Sequence, residues 1–173
     1  METTKTQLQA LTLHMFSPFR KHCTHAVTLT MKQSVWVKTE RGRACIKLTP
    51  QRAQRNLSHA LNRLNRYLYG NGYKRKPDQY AALVIPVIHG LSGNTRLHYH
   101  LQIGHLPENT SNDELSAGII EAWSATDFGD AQIDLQNLYG THWLTYTTRE
   151  INREDIDCVD LHNLNIPQKL RTN

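Results

Sequence analysis

Cysteine and long apolar runs are both scarce in this chain of 173 residues, and each scarcity removes a class of protein. The three cysteines, Cys23, Cys45 and Cys158, are too few and too scattered for a disulfide framework or a zinc knuckle. No run approaches the roughly 18 apolar residues that a membrane span needs. The first residues also lack the basic-then-apolar pattern of a secretory signal. We therefore expect a cytoplasmic protein with no membrane partner.

Positive charge is in excess, with 20 Lys and Arg against 15 Asp and Glu and a pI of about 9.2. That balance is compatible with a polyanionic partner. Part of it falls on a helix that Thr49 and Pro50 are expected to begin and that Gly70 is expected to end. The basic residues of this helix and of the loop after it are Arg52, Arg55, Arg63, Arg66, Lys74, Arg75 and Lys76. They form either a solvated face or an edge that contacts phosphates.

The hydrophobic pattern predicts an alternation of strands and helices. Strands are expected from Thr24 to Met31, over residues 81–88, 97–103 and 131–138, and helices over 50–70, from Ser111, and over 141–151. Val35 to Val37 either extends the first strand or forms a hairpin arm. The apolar run over 81–88 is interpreted as a buried central strand, although Pro86 within it suggests an edge or a bulge.

This order predicts an α+β fold of the ferredoxin-like split βαβ type, with an antiparallel central sheet and helices packed mainly on one face. Residues 1–22 are interpreted as an N-terminal arm, 23–151 as the folded domain and 152–173 as a C-terminal extension.

Histidines provide the densest chemical signal. His98 and His100 are two residues apart on a predicted strand, so both side chains should project from one face while Tyr99 projects from the other. Two imidazoles at this spacing can bind one divalent metal, although the spacing alone favours two solvated surface histidines, because His-x-His is a common pattern. His89 ends the preceding strand and would lie beside His98 in an antiparallel hairpin, where it supplies a third ligand; His105 is a weaker candidate.

A second cluster of chemically active side chains lies in the last predicted helix. Tyr146 and Arg149 are three residues apart and should share a helical face. A phenol beside a cation is suited to attack on a phosphate. The alternative is an amphipathic helix that packs Trp143 and Tyr146 into the core.

Together these motifs resemble the catalytic domain of the HUH endonucleases, the family of rolling-circle replication initiators. The resemblance rests on residues 98–100 (HYH), on the first-strand segment 25–30 (HAVTLT), and on Tyr146 followed three residues later by Arg149. His89 occupies the place of the family's third metal ligand. The chain looks like a single-tyrosine member, and the similarity covers roughly residues 23 to 151.

The resemblance implies a metal-dependent endonuclease that nicks and joins single-stranded DNA. His89, His98 and His100 would hold Mg²⁺ or Mn²⁺, and Tyr146 would attack the scissile phosphate to leave a 5′-phosphotyrosine link. Arg149 would neutralise charge, although the family has lysine there and the two cations are not equivalent. Tyr139 is the reserve nucleophile.

The same resemblance implies origin DNA of a plasmid or phage, single-stranded or in a hairpin, as the substrate. The basic helix and loop would follow its backbone. No Gly-x4-Gly-Lys-Ser/Thr phosphate loop occurs in the sequence, so unwinding would need either a host helicase or a further domain of a longer protein.

Two other functions remain open. A small transposase would use the same chemistry with the same order of motifs, whereas a relaxase is disfavoured because no tyrosine precedes Tyr67. A nucleic-acid-binding module without catalysis would need exposed aromatic residues on its strands.

Overall fold

A computed structural model describes residues 4–93, 95–140, 142–153 and 158–171. The helices are α1 Lys5–Arg20, α2 Pro50–Tyr69, α3 Asn71–Arg75, α4 Asn112–Ser124, α5 His142–Thr147 and α6 Gln168–Arg171, and a 3-10 helix spans Thr148–Arg153. The strands are β1 Cys23–Met31, β2 Ser34–Thr39, β3 Gly42–Lys47, β4 Leu83–His89, β5 His98–Gly104 and β6 Gly129–Asn137. None of the described helices is long and apolar enough to cross a bilayer.

The main sheet has four strands in the order β4-β5-β1-β6, and every neighbouring pair is antiparallel. The strands that α2 connects, β1 and β4, are separated by β5, and the strands that α4 connects, β5 and β6, are separated by β1. This is the split βαβ topology, so the predicted α+β fold with an antiparallel sheet is confirmed.

One face of the sheet carries the larger core. Helices α2 and α4 pack there, with Leu57 and Leu61 of α2 and Trp123 of α4 buried against Val27 and Leu101 of the strands. Helix α2 begins as predicted, because the Thr49 hydroxyl accepts a hydrogen bond from the backbone N–H of Arg52. A cap of this kind stabilises a helix by about 1 kcal/mol.

The opposite face is partly covered by α1 and α5. Phe16 of α1 and Leu144 of α5 are buried together with Leu83 and Ile85 of β4. The segment interpreted as an arm is therefore a helix over most of its length, with Pro18 accommodated in its last turn. Helices α2 and α4 account for the predicted one-sided packing, and α1 and α5 add a second, partial layer.

Strand β4 is buried but lies at an edge of the sheet, so the expectation of a central strand is wrong and the edge that Pro86 suggests is observed. Its outer side is lined by residues 158–165, which form isolated bridges at Val84↔Asn165 and Val87↔Val159. The backbone N–H of Asp160 donates to the carbonyl of Pro86 at 3.0 Å. The described part of the C-terminal extension thus completes the edge of the domain; residues 154–157 lie outside the described residues.

Strands β2 and β3 form a separate two-stranded hairpin, so Val35 to Val37 belongs to a hairpin arm rather than to an extension of β1. Val35 and Ile46 on its inner side pack against the core under α2. Cys23 and Cys45 are free thiols.

Candidate metal centre

Strand alternation places two histidines on the face that α5 covers. Tyr99 points to the α2 side, where it is fully buried and donates a hydrogen bond to Asp160 at 2.8 Å. His98 and His100 therefore project from the other face. The register of β4 against β5 sets His89 directly opposite His98, as the sequence predicts for an antiparallel hairpin.

The three imidazoles form one compact cluster. Ring centroids are 5.2 Å apart for His89 and His98, 4.5 Å for His89 and His100, and 5.0 Å for His98 and His100. One ring nitrogen from each residue lies within 4.8 Å of the others, which is close enough for a shared metal ion. Among the described residues this is the one group of three or more metal-ligating side chains with such geometry.

Backbone carbonyls fix the tautomers of two of these rings. Nδ1 of His98 donates to the carbonyl of Arg96 at 2.8 Å, which leaves the lone pair on Nε2. Nε2 of His89 donates to the carbonyl of Thr147 at 2.6 Å, and that tautomer carries its lone pair on Nδ1. Metal-binding histidines almost always use one nitrogen in this way while the other binds the ion.

His100 is held by a side chain instead. Its Nδ1 lies 3.0 Å from the hydroxyl of Thr28 on β1, and with that hydroxyl as acceptor the lone pair remains on Nε2. Burial, reinforced by the nearby charges of His89, His98 and Arg149, lowers the pKa of His100 to about 3. The ring is therefore neutral at ordinary pH, which is the state that coordinates a metal. The donor set fits a divalent ion.

Tyr146 lies at the edge of this cluster. Its ring centroid is 6.3 Å from that of His100 and 5.7 Å from that of Trp143, and its side chain is 45% exposed. Leu144 and Thr147 supply the buried positions of α5, so the alternative in which the helix buries Tyr146 in the core is not observed. The guanidinium carbon of Arg149 lies 4.1 Å from the centre of the Tyr146 ring.

Tyr139, the reserve nucleophile, is 86% exposed and accepts a hydrogen bond from Asn137. Tyr139 and Tyr146 line the same cavity of about 370 Å³, which Trp143 also borders. Of the two, Tyr146 is the residue whose ring lies against His100 of the histidine cluster.

The predicted DNA-contacting residues are not brought to this centre. Arg52, Arg55, Arg63 and Arg66 belong to α2, which packs on the other face of the sheet, and Lys74, Arg75 and Lys76 are exposed at and just beyond α3. Arg63 already faces Glu121 at 4.0 Å, and Arg52 donates to the carbonyl of Lys47. Their role in DNA binding stays a prediction for surfaces away from the histidines.

The analysis of the sequence did not predict the contacts that three further residues make with the histidine cluster. Thr28 supports His100, the carbonyl of Thr147 orients His89, and Trp143 contacts His100 with ring centroids 5.7 Å apart. Only Thr28 left a usable signal, because strand pairing sets it opposite His100. His105 lies past the far end of β5 and does not join the cluster.

No protein-family model, curated protein or solved structure matches this chain. The functional conclusion therefore depends on the chemistry and geometry of these side chains.

Proposed function

We propose that the protein is a metal-dependent endonuclease that nicks and rejoins single-stranded DNA and initiates rolling-circle replication. The observation that carries this proposal is the position of the exposed Tyr146 beside three imidazoles that are close enough to share one metal ion. A nucleophile, a cation and a candidate Lewis-acid site are thereby gathered on one side of the sheet.

Tyr146 acts as the nucleophile. Its phenolic oxygen forms a bond to phosphorus, the bond from phosphorus to the 3′ oxygen breaks, and the proton lost by the phenol ends on that oxygen. The products are a 5′-phosphotyrosine link and a free 3′-hydroxyl. Because one phosphodiester replaces another, the reverse reaction joins strands.

Arg149 supplies positive charge at the point of attack. Its guanidinium lies over the Tyr146 ring, where it stabilises negative charge on the phenol oxygen and on the phosphate as the new bond forms. His89, His98 and His100 would hold Mg²⁺ or Mn²⁺. A bound ion supplies Lewis-acid polarisation of the scissile phosphate. Three imidazoles also suit zinc or nickel, so the metal must be identified by experiment.

The decisive experiment is a denaturing gel of the protein with a labelled single-stranded DNA library and Mn²⁺. A covalent protein–DNA band is expected, and it should disappear with a chelator and in Tyr146→Phe. Tyr139→Phe is the matched control, because that tyrosine lines the same cavity, and it should keep the band. A band that survives in Tyr146→Phe and vanishes in Tyr139→Phe would move the nucleophile to Tyr139.

The same gel separates the rival functions. A small transposase would also give the covalent band, and only the DNA sequence that it selects would differ. DNA binding without a band in any metal would favour a binding module that does not cleave.

A further inference from the structure

The outward side of the β2–β3 hairpin has no part in the mechanism above. Trp36 stands in the middle of β2 and is 64% exposed, although tryptophan is usually well buried. The alternation of both strands separates the two sides of the hairpin. Val35 and Ile46 face the core, whereas Trp36 and its cross-strand partner Cys45 face outward.

Cations surround this tryptophan. Lys38 and Arg43 form the next pair on the same side, and Lys47 lies one pair away in the other direction. The guanidinium carbon of Arg43 lies 5.8 Å from the centre of the Trp36 ring. No carboxylate occurs on this outward side, since the one acidic residue of the hairpin, Glu40, is in the turn.

We propose that the outward side of the hairpin is a stacking platform for unpaired bases of single-stranded DNA. An exposed aromatic ring offers a π-face to any base, and cations on both strands offer contacts to the flanking phosphates. A duplex keeps its bases stacked on one another and cannot use the ring in this way. The occupant is therefore a single strand.

The root of the hairpin is tied to the start of β5, one residue before His98. The side-chain amide of Gln33, just before β2, exchanges two hydrogen bonds with the backbone of Leu97, both at 3.2 Å. His98 follows Leu97 directly, and the backbone N–H of Leu48, just after β3, donates to the carbonyl of Gln33. The hairpin thus begins and ends beside the first residue of β5, and each of its six-residue strands is about 20 Å long.

This placement gives the platform a role that rests on the proposed function. A DNA strand whose scissile phosphate lies at the histidines can continue along the hairpin, where Trp36 stacks on a base a few nucleotides from the cleavage point. The hairpin then holds the strand while the bond is broken and remade.

Binding is measured by fluorescence anisotropy with a labelled 20-nucleotide oligothymidine, in EDTA and in the Tyr146→Phe background. These conditions exclude cleavage, so the result does not depend on whether Tyr146 is the nucleophile. Trp36→Ala should weaken binding about tenfold, as loss of one base–aromatic stack does elsewhere, and Trp36→Phe should retain most of the affinity. Leu161→Ala, which truncates a side chain that is 63% exposed elsewhere on the surface, is the control and should bind normally.

A blunt duplex of the same length provides the contrasting ligand. Trp36→Ala should bind the duplex as the parent does. The proposal is overturned if Trp36→Ala retains full affinity for the single strand, or if it loses affinity for strand and duplex equally. A direct readout is the part of the tryptophan emission that Trp36→Phe removes, which the oligothymidine should quench.

Discussion

At the scale of single residues, the neutral state of His100 is the clearest electrostatic feature of the candidate site. The ring is buried between two other imidazoles and near a guanidinium, so a proton placed on it would be both desolvated and repelled. The fold thereby keeps one ligand ready for a metal over a wide pH range. The same arrangement makes the metal-free protein sensitive to acid.

The metal-free protein should lose stability as the pH falls from about 6.5 to about 3. The folded-state pKa of His100 is lowered to about 3 from an ordinary value of 6.5, so the unfolded chain binds more protons than the folded chain across this interval. The free energy of unfolding should decrease by roughly 1 kcal/mol per pH unit through this group alone. Urea unfolding in EDTA should show a shallower pH dependence for His100→Gln, and parallel curves would contradict the assignment.

The hydroxyl of Thr28 should matter for metal affinity although it does not touch the ion. Thr28→Val removes the hydrogen bond to Nδ1 of His100, which frees the ring to rotate. Affinity for Mn²⁺ or Zn²⁺, measured by isothermal titration calorimetry, should fall about tenfold. Thr30→Val is the matched control, because that hydroxyl lies on the same face of β1 but donates to the carbonyl of Gln132. Equal affinities for the two variants would leave Thr28 without a supporting role.

At the scale of elements, Tyr99 and Asp160 connect β5 to the segment along the edge of β4. The buried carboxylate of Asp160 accepts hydrogen bonds from Tyr99, Gln54 and Asn163, which lie on three different parts of the chain. Burial and the adjacent Asp160 raise the pKa of Tyr99, so the phenol stays protonated and keeps donating. A buried carboxylate with several donors holds its neighbours in one arrangement.

Tyr99→Phe should destabilise the protein by about 1.5–3 kcal/mol, the range for a hydrogen bond to a charged group. The substitution leaves the histidines unchanged, because Tyr99 faces the other side of the sheet. Chemical denaturation provides the measurement. Tyr67→Phe, at a residue that is 42% exposed, should cost far less. A double-mutant cycle with Asp160→Asn should give a coupling energy of the same order, and additive effects would mean that the bond contributes little.

Elements differ in how well the sequence predicts them, and the strength of their hydrophobic pattern explains the difference. The strand that carries the histidines and the helix that Thr49 caps are both strongly patterned, and both are found where they are expected. Helix α1 and strand β3 were missed. The apolar residues of α1 form no strong stripe, and β3 contains only one large apolar residue, Ile46, so tertiary contact rather than local pattern defines both elements.

At the scale of the whole molecule, the sheet separates packing from chemistry. The face under α2 and α4 is filled with apolar side chains, and the other face gathers the histidines, Tyr146 and Arg149. Sequence spacing predicts which residues share a strand face and which strands are neighbours, so the three histidines could be grouped. The path of the chain over residues 142–149 follows from packing against β4 and α1, so the support that Thr147 gives His89 could not be foreseen.

The contribution of the basic surface residues to DNA binding can be tested by measuring how the affinity depends on salt concentration. If Lys74, Arg75 and Lys76 contact a single-stranded backbone, replacing all three with alanine should reduce the slope of log K against log salt by up to about 2, at roughly 0.7 per phosphate contact. Oligonucleotide titrations at several salt concentrations provide the slope. Arg63→Ala should change it less, because that guanidinium already faces Glu121. An unchanged slope in the triple variant would remove this segment from the DNA path.

The alternation along β5 has a consequence for how this chain can vary. The effect of a substitution should alternate from one residue of β5 to the next. Apolar exchanges at Tyr99 or Leu101 should reduce only the stability of the fold, whereas changes at His98 or His100 should reduce metal binding. Insertions and deletions obey a stricter rule. One added residue between the two histidines would send them to opposite faces and put a polar ring into the core. The composition of β5 can therefore vary, but even a one-residue change in the length of the segment between the two histidines would disrupt the site.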